Sequence, residues 1–189
     1  MVAALIPACE NKPGDTGVAH PTTADRTAVP ATTSTTTTAN TNSQTVGHVR
    51  VSIQKISVGK VRLKAADGSI TYADEPRLMI ALRIENTSDK KRSEYNTWVP
   101  DLEAAKSVAK LTDDRGNELK RVTFGFGNNV VERTVLDTLT PGKVIGDLLV
   151  FEAPAAGANS FHLELPGGNC GVKGEFQFKI DASAIIRPK

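Results

Sequence analysis

Cysteine, histidine and aromatic residues are scarce. The chain of 189 residues holds two Cys, three His, and 5% Phe, Trp and Tyr combined. The three histidines, His20, His48 and His162, are far apart in sequence, and only His162, between Phe161 and Leu163, stands where it could serve as a base. The G-x-S-x-G elbow, H-E-x-x-H, Cys-x-x-Cys and phosphate-loop signatures are all missing. One His, one Cys and scattered carboxylates give no metal-ligand spacing. The expectation is a protein with no catalytic residues, no metal and no cofactor. Charge of one sign is also lacking. Residues 48–189 carry 21 Lys and Arg against 18 Asp and Glu, with one short cluster at Lys90-Lys91-Arg92 behind turn residues. No basic stripe interleaved with aromatics exists, so nucleic acid is not an expected partner.

Leu, Ile, Met and aromatic residues are wholly missing from residues 10–47, and thirteen of the 24 residues from Thr22 to Thr45 are Thr or Ser. Such a stretch cannot bury enough apolar surface to offset the entropy of ordering it, so it is expected to be a disordered spacer. As a flexible coil of roughly 38 residues it would span about 35 Å on average, with a contour of roughly 130 Å.

Ahead of the spacer, MVAALIPAC is apolar up to Ala8-Cys9 and turns polar at Glu10-Asn11-Lys12. It is much too short to cross a bilayer. It resembles the end of a bacterial lipoprotein signal, with Ile6 three before the cysteine, Ala8 just before it, and Cys9 as the residue that would carry the lipid. The missing basic segment puts the expected true start upstream. Lipidated Cys9 would leave Cys170 with no disulfide partner. No His, Lys or Arg lies within two residues of Cys170 to activate it, so an idle thiol in a Gly-rich loop is expected.

What remains, residues 48–189, is large enough for one core. Its dominant stretch is Leu139 to Pro154. Pro141-Gly142 suits a type II turn, and the apolar run Val144 to Phe151 reads as a central strand buried on both sides. Val49, Val51 and Ile53 alternate with polar residues, the phase slips at Gln54-Lys55, and Ile56 and Val58 resume it, which predicts a bulge. Val61 and Leu63 alternate with Lys60, Arg62 and Lys64, and Asp67-Gly68 turns the chain toward Ile70 and Tyr72. This predicts a hairpin with an exposed cationic face on an edge strand. Leu78 to Ile84, Phe161 to Leu165 and Phe176 to Ile180 alternate cleanly. Leu119, Val122, Phe124 and Phe126 read as a return strand, Val130 to Leu136 as another, and Asp101 to Lys106 as a short helical connection. The carboxylates of Thr112 to Glu118 lack calcium-loop spacing and suit a hairpin turn. Eight to ten short strands with almost no amphipathic helix indicate an all-β, Ig-like antiparallel sandwich.

Taken together, Leu82 to Ser88, Tyr95 to Trp98, Leu111 to Lys120, the Pro141-Gly142 turn with Phe151-Glu152-Ala153-Pro154, and Phe161 to Pro166 resemble bacterial Ig-like extracellular domains of unassigned function. The resemblance covers about residues 48–187. It implies a sandwich behind a lipoprotein signal (1–9) and a spacer (10–47), and an extracytoplasmic, lipid-anchored place in the cell envelope. It carries over no catalytic residue.

Two functions fit. The first is a non-catalytic, membrane-tethered module that presents a sandwich face or end loops to an envelope protein or glycan. A contiguous exposed patch at Tyr95 and Trp98 would favour it, although a core role is the commoner use of a lone Trp in a small sandwich. The second is a small-ligand or metal carrier built from the loops around Trp98, Gly125 to Asn129 and Gly167 to Gly171.

Overall fold

The computed structural model describes residues 42–99, 107–125 and 127–187. Cys9, most of the spacer, the helical connection expected at 101–106, and Phe126 lie outside the described residues. Ten strands form an all-β sandwich: β1 (Ser43–Val46), β2 (Val49–Lys64), β3 (Ile70–Asn86), β4 (Ser93–Asn96), β5 (Lys110–Asp113), β6 (Asn129–Val130), β7 (Leu136–Leu139), β8 (Val144–Phe151), β9 (Ser160–Pro166) and β10 (Glu175–Asp181). The larger sheet runs β1-β2-β3-β8, with β6 also on β2. A second sheet runs β10-β9-β5, and β4 pairs with β7. All these strand pairings are antiparallel.

The two large sheets face each other because each is apolar at every second residue. Val49, Val51, Ile53, Ile56, Leu78, Ile80, Leu82 and Ile84 on one side meet Leu111, Phe161, Leu163, Leu165, Phe176, Phe178 and Ile180 on the other. Each such side chain removed from water contributes about 1.5–3 kcal/mol. The register between β2 and β3 shifts between Ile53 and Lys55, at the slip read from the sequence. One extra residue there returns Ile56 to the core face that Ile53 occupies. The Pro141-Gly142 turn also forms as expected, with Gly142 at φ 72° and the Lys143 N–H donating to Thr140 O at 3.0 Å.

Strand β2 is not an edge strand, contrary to the expectation from its lysines. Its far side is occupied in succession by β1, by Ile186, whose backbone bonds to Ile56 and Val58, and by β6. The side-chain alternation was right all the same: Lys60, Arg62 and Lys64 are exposed while Val61 and Leu63 are buried. The domain also starts earlier than His48. β1 lies within the stretch assigned to the spacer, because backbone pairing rather than apolar side chains makes it a strand. Gln44 then reaches the other sheet, its carboxamide accepting the Gln177 N–H at 2.8 Å and donating to the Gln177 carbonyl. A side chain thereby stands in for a neighbouring strand at the border of β10.

β8 is buried on both faces, but it ends the row of strands rather than occupying its middle. Ile145, Leu149 and Phe151 enter the main core, whereas Leu148 and Val150 enter a second, smaller cluster with Val61, Leu63, Ala73 and Val130 on the outer face. That second cluster explains why Leu119 to Phe124 is not a return strand. Leu119 belongs to the main core, whereas Val122 and Phe124 cover the outer cluster. The segment runs alongside β8 through a few backbone bonds, including Val122 N–H to Val150 O at 3.0 Å. Strand structure at Val130 to Leu136 is likewise confined to β6 and the first residue of β7.

Candidate functional site

Tyr95 and Trp98 are fully buried, each 0% exposed. The exposed patch that would have favoured partner binding at Tyr95 and Trp98 is not formed, and Trp98 takes the commoner core role: neither residue can touch a partner from outside. A chain this poor in aromatics uses them to fill its interior. Tyr95 meets Trp98 edge-on with centroids 5.3 Å apart, and Trp98 meets Phe176 in the same way at 6.3 Å. The Trp98 indole N–H donates to Pro166 O at 2.9 Å, which ties the end of β9 to the segment after β4.

Beside them lies the one buried carboxylate among the described residues. Asp147 Oδ1 accepts the N–H groups of Leu148 at 2.8 Å and Thr134 at 3.1 Å. Its Oδ2 accepts the Thr97 hydroxyl at 2.9 Å and the Tyr95 hydroxyl. Burial pushes the Asp147 carboxyl above its ordinary range against the pull of these donors. Burial and the facing Asp147 charge likewise raise the Tyr95 phenol. Asn169, also buried, donates its amide to the carbonyls of Asn96, Thr97 and Ser107 at 3.0–3.2 Å, which clamps the Gly167–Cys170 turn against the chain after β4.

Cys170 is 0% exposed in that turn, and burial followed by the Asp147 charge pushes its thiol up to about 12. Such a thiol is neither accessible nor ionised near neutral pH. Iodoacetamide is accordingly expected to leave Cys170 unmodified in the native chain and to alkylate it fully in urea. Peptide mapping by mass spectrometry separates it from Cys9, and rapid native alkylation at Cys170 would contradict the burial.

The remaining candidates for chemistry are dispersed. His48 Nε2 is 3.4 Å from Ser93 Oγ, while His162 Nδ1 is 3.2 Å from Glu164 Oε1, two residues along its own strand. Asp113 serves its turn, accepting the N–H groups of Arg115 and Asn117 and the Asn117 amide at 2.8–2.9 Å, with Gly116 at φ 84°. The Asn117 amide lowers its carboxyl below the usual range. Asn86-Thr87-Ser88 matches an N-glycosylation acceptor in form, but Asn86 is fully buried and gives its amide to Lys91 O and Leu139 O, a structural role.

The three loops expected to form a pocket do not converge. Trp98 and Gly167 to Gly171 interlock as described, next to Ser93, which a Cβ on Gly171 would meet at 3.0 Å. The described part of Gly125 to Asn129 sits at the other end of β2, where Asn129 pairs with Lys64. Sixteen residues of strand separate those ends, roughly 50 Å.

The structure instead places a cleft on the outer face of the larger sheet, with a volume of about 210 Å³. β2 supplies Lys55, Ser57, Lys60 and Arg62. Met79 and Ala81 of β3, Leu148 of β8, and Val131 form its apolar part, and Glu132 completes the wall. The register that aligns Ser57 with Met79, and Ala81 with Leu148, brings these distant residues together. Arg62 Nη1 lies 4.0 Å from Glu132 Oε1, both side chains being more than half exposed. A more open hollow of about 330 Å³ lies farther along β3, where Asp74 and Glu75 offset Arg77. Of the lining of the first, cationic cleft, the sequence singles out only Lys60 and Arg62, as an exposed charged face. Among the described residues no three His, Cys, Asp or Glu side chains gather as metal ligands.

No family model matches the chain, and no curated protein matches it. Its fold is similar to that of the yjhA protein of Bacillus subtilis, with a TM-score of 0.47 and 15% identity over 77% of this chain and 96% of that one. It is also similar to ycdA, a candidate lipoprotein of Bacillus subtilis subsp. subtilis strain 168, with a TM-score of 0.47 and 16% identity over 77% of this chain and 40% of that one. The chain thus spans well under half the length of ycdA.

Proposed function

We propose that this protein is a non-catalytic binding module, held at an envelope membrane by a lipid on Cys9 and a Thr-rich tether, whose working surface is the outer face of the larger sheet. One observation carries the reading. Asp147, Tyr95 and Cys170 are sealed inside, whereas the outer-face cleft gathers three cations beside half-buried Met79, Ala81 and Val131. The sandwich is read as Ig-like, with the hairpins β2–β3 and β9–β10 in opposite sheets. A tether of about 33 residues between Cys9 and β1 would let that face turn freely toward an envelope protein or glycan.

Metabolic labelling with an alkyne fatty acid in a bacterial host tests the anchor: label is expected on the parent chain and absent from Cys9→Ala. Label on neither chain, or on both, removes it. A photo-crosslinking residue tests the face. Placed at Ser57 it is expected to capture envelope components, whereas at Lys179 on the opposite sheet it should not; the reverse pattern refutes the assignment.

The concave shape of the cleft favours a second reading, a carrier of a small ligand, on the same face rather than at the loops.

A further inference from the structure

We infer that the outer-face cleft takes a small organic anion, a carboxylate or phosphate monoester bearing a compact apolar group. This rests on the reading of that face as the working one. Lys55, Lys60 and Arg62 line the cleft against the single carboxylate of Glu132. Glu132 does not occupy the Arg62 guanidinium closely, since the pair sits at 4.0 Å with both side chains exposed. The planar fork of Arg62 is therefore open to a bidentate oxyanion, and the Ser57 hydroxyl adds a donor at the same wall. The anion would not be held by charge alone. Met79, Ala81 and Leu148 give the cleft an apolar floor; Leu148 belongs to the second cluster, and Met79 and Ala81 pack against that cluster. Met79 is the adaptable member of that floor, because an unbranched thioether conforms to ligands of differing shape.

Two details bear on ligand size. A volume of about 210 Å³ corresponds to roughly seven waters at ~30 Å³ each, room for a ring and one anionic head. Gly59 leaves the wall beside Met79 without a side chain. A Cβ there would meet Met79 Cε at 3.4 Å, an ordinary contact, and a side chain built on it would start beside the floor.

The chain contains two methionines, Met1 and Met79, so a methyl-labelled full-length chain reports on the cleft through one assignable signal. Titration with phenyl phosphate is expected to shift the Met79 methyl saturably. Inorganic phosphate should need at least about fivefold more, because it forgoes the apolar contact. The double substitution Lys55→Gln, Arg62→Gln should weaken phenyl phosphate by about tenfold or more, as two facing charges are lost. Glu132→Gln should tighten it about threefold by removing the opposing carboxylate. A gain of affinity cannot come from damage to the fold. Gly59→Leu should abolish the shift with every charge in place.

Displacement of phenyl phosphate by phosphatidylglycerol vesicles but not phosphatidylcholine vesicles would make the natural ligand a lipid headgroup. Displacement by neither would make it a soluble anion, and both outcomes fit the inference. No saturable Met79 shift up to about 10 mM, well beyond a millimolar affinity, or an unchanged titration in the double variant, overturns it. If Ser57 crosslinks persist in that case, the binding face stands and the anion assignment alone falls.

Discussion

Asp147→Ala is expected to destabilise the domain by about 4 kcal/mol, because it leaves two N–H groups and two hydroxyls in the interior without their acceptor, each orphan costing ~1–3 kcal/mol and the costs overlapping. The four donors come from three separate places, Tyr95 and Thr97 at β4, Thr134 before β7, and Leu148 on β8 itself. The carboxylate is thus the rivet between the two-stranded sheet and the larger one. Asp147→Asn should cost only about 1–2 kcal/mol. Its remaining oxygen can keep the backbone donors of Thr134 and Leu148, while the hydroxyls of Tyr95 and Thr97 rotate to accept from its NH₂ group. Tyr95→Phe removes one hydroxyl and should fall near the Asn variant, at about 1–2 kcal/mol. Urea unfolding of the full chain measures all three. Equal losses for Ala and Asn would mean that the four donors do not converge on this side chain.

The same residue sets a pH dependence whose sign follows from burial. The Asp147 carboxyl is raised above 3.8 in the folded state, so between 3.8 and the raised value the folded chain holds more protons than the unfolded one. Stability from this group is then fully present at acid pH and falls as pH rises through that window. The carboxyls of Asp67, Asp113 and Asp137, which lie outside the core, act oppositely. They are lowered by hydrogen bonds, chiefly from Ser69, Asn117 and Lys143, and their contribution fades as pH falls through their folded values. The advantage of the parent chain over Asp147→Asn is therefore expected to shrink as pH rises from about 4 and to level off above the raised value. An advantage that grows over this range would contradict the burial of the charge.

The architecture was legible wherever side-chain period alone decides it. Phe161, Leu163 and Leu165, and Phe176, Phe178 and Ile180, are buried in the alternation their spacing predicts, and the slip at Gln54 is a register shift in the hairpin. Legibility stopped where one stretch serves two cores. Leu119, Val122 and Phe124 read as one return strand, but the first packs inside the sandwich and the others cover its outside. Periodicity tells which residues leave water, not which sheet they leave it for. Asp147 is not legible as an acceptor inside its apolar run, because three of its donors lie 13 to 52 positions away and the fourth is the N–H of the next residue. The cleft was illegible for the same reason. Its cations are local to β2, but its floor comes from β3, β8 and the segment after β6, which only strand register assembles.

Trp98→Ala is expected to cost about 4–5 kcal/mol, a large-to-small change of ~3–5 kcal/mol in a closed core with a lost hydrogen bond of about 1 kcal/mol added. The indole is completely buried, wedged edge-on between Tyr95 and Phe176, and its N–H satisfies the Pro166 carbonyl. Truncation would therefore open a cavity where strands of two sheets meet and leave that carbonyl unpaired. Trp98→Phe retains an aromatic edge but not the donor, and should recover about half of the loss. Circular dichroism in urea follows both variants. In the parent chain the sole tryptophan is its own reporter, with native emission expected to be shifted to the blue, shielded from acrylamide, and released to the red in the same transition that circular dichroism detects. Emission quenched freely in the native state would place the ring at the surface and restore the aromatic contact patch that burial excludes. A shielded ring, with phenyl phosphate still titrating the Met79 methyl in Trp98→Phe, would separate the brace that holds the sandwich closed from the face that meets its ligand.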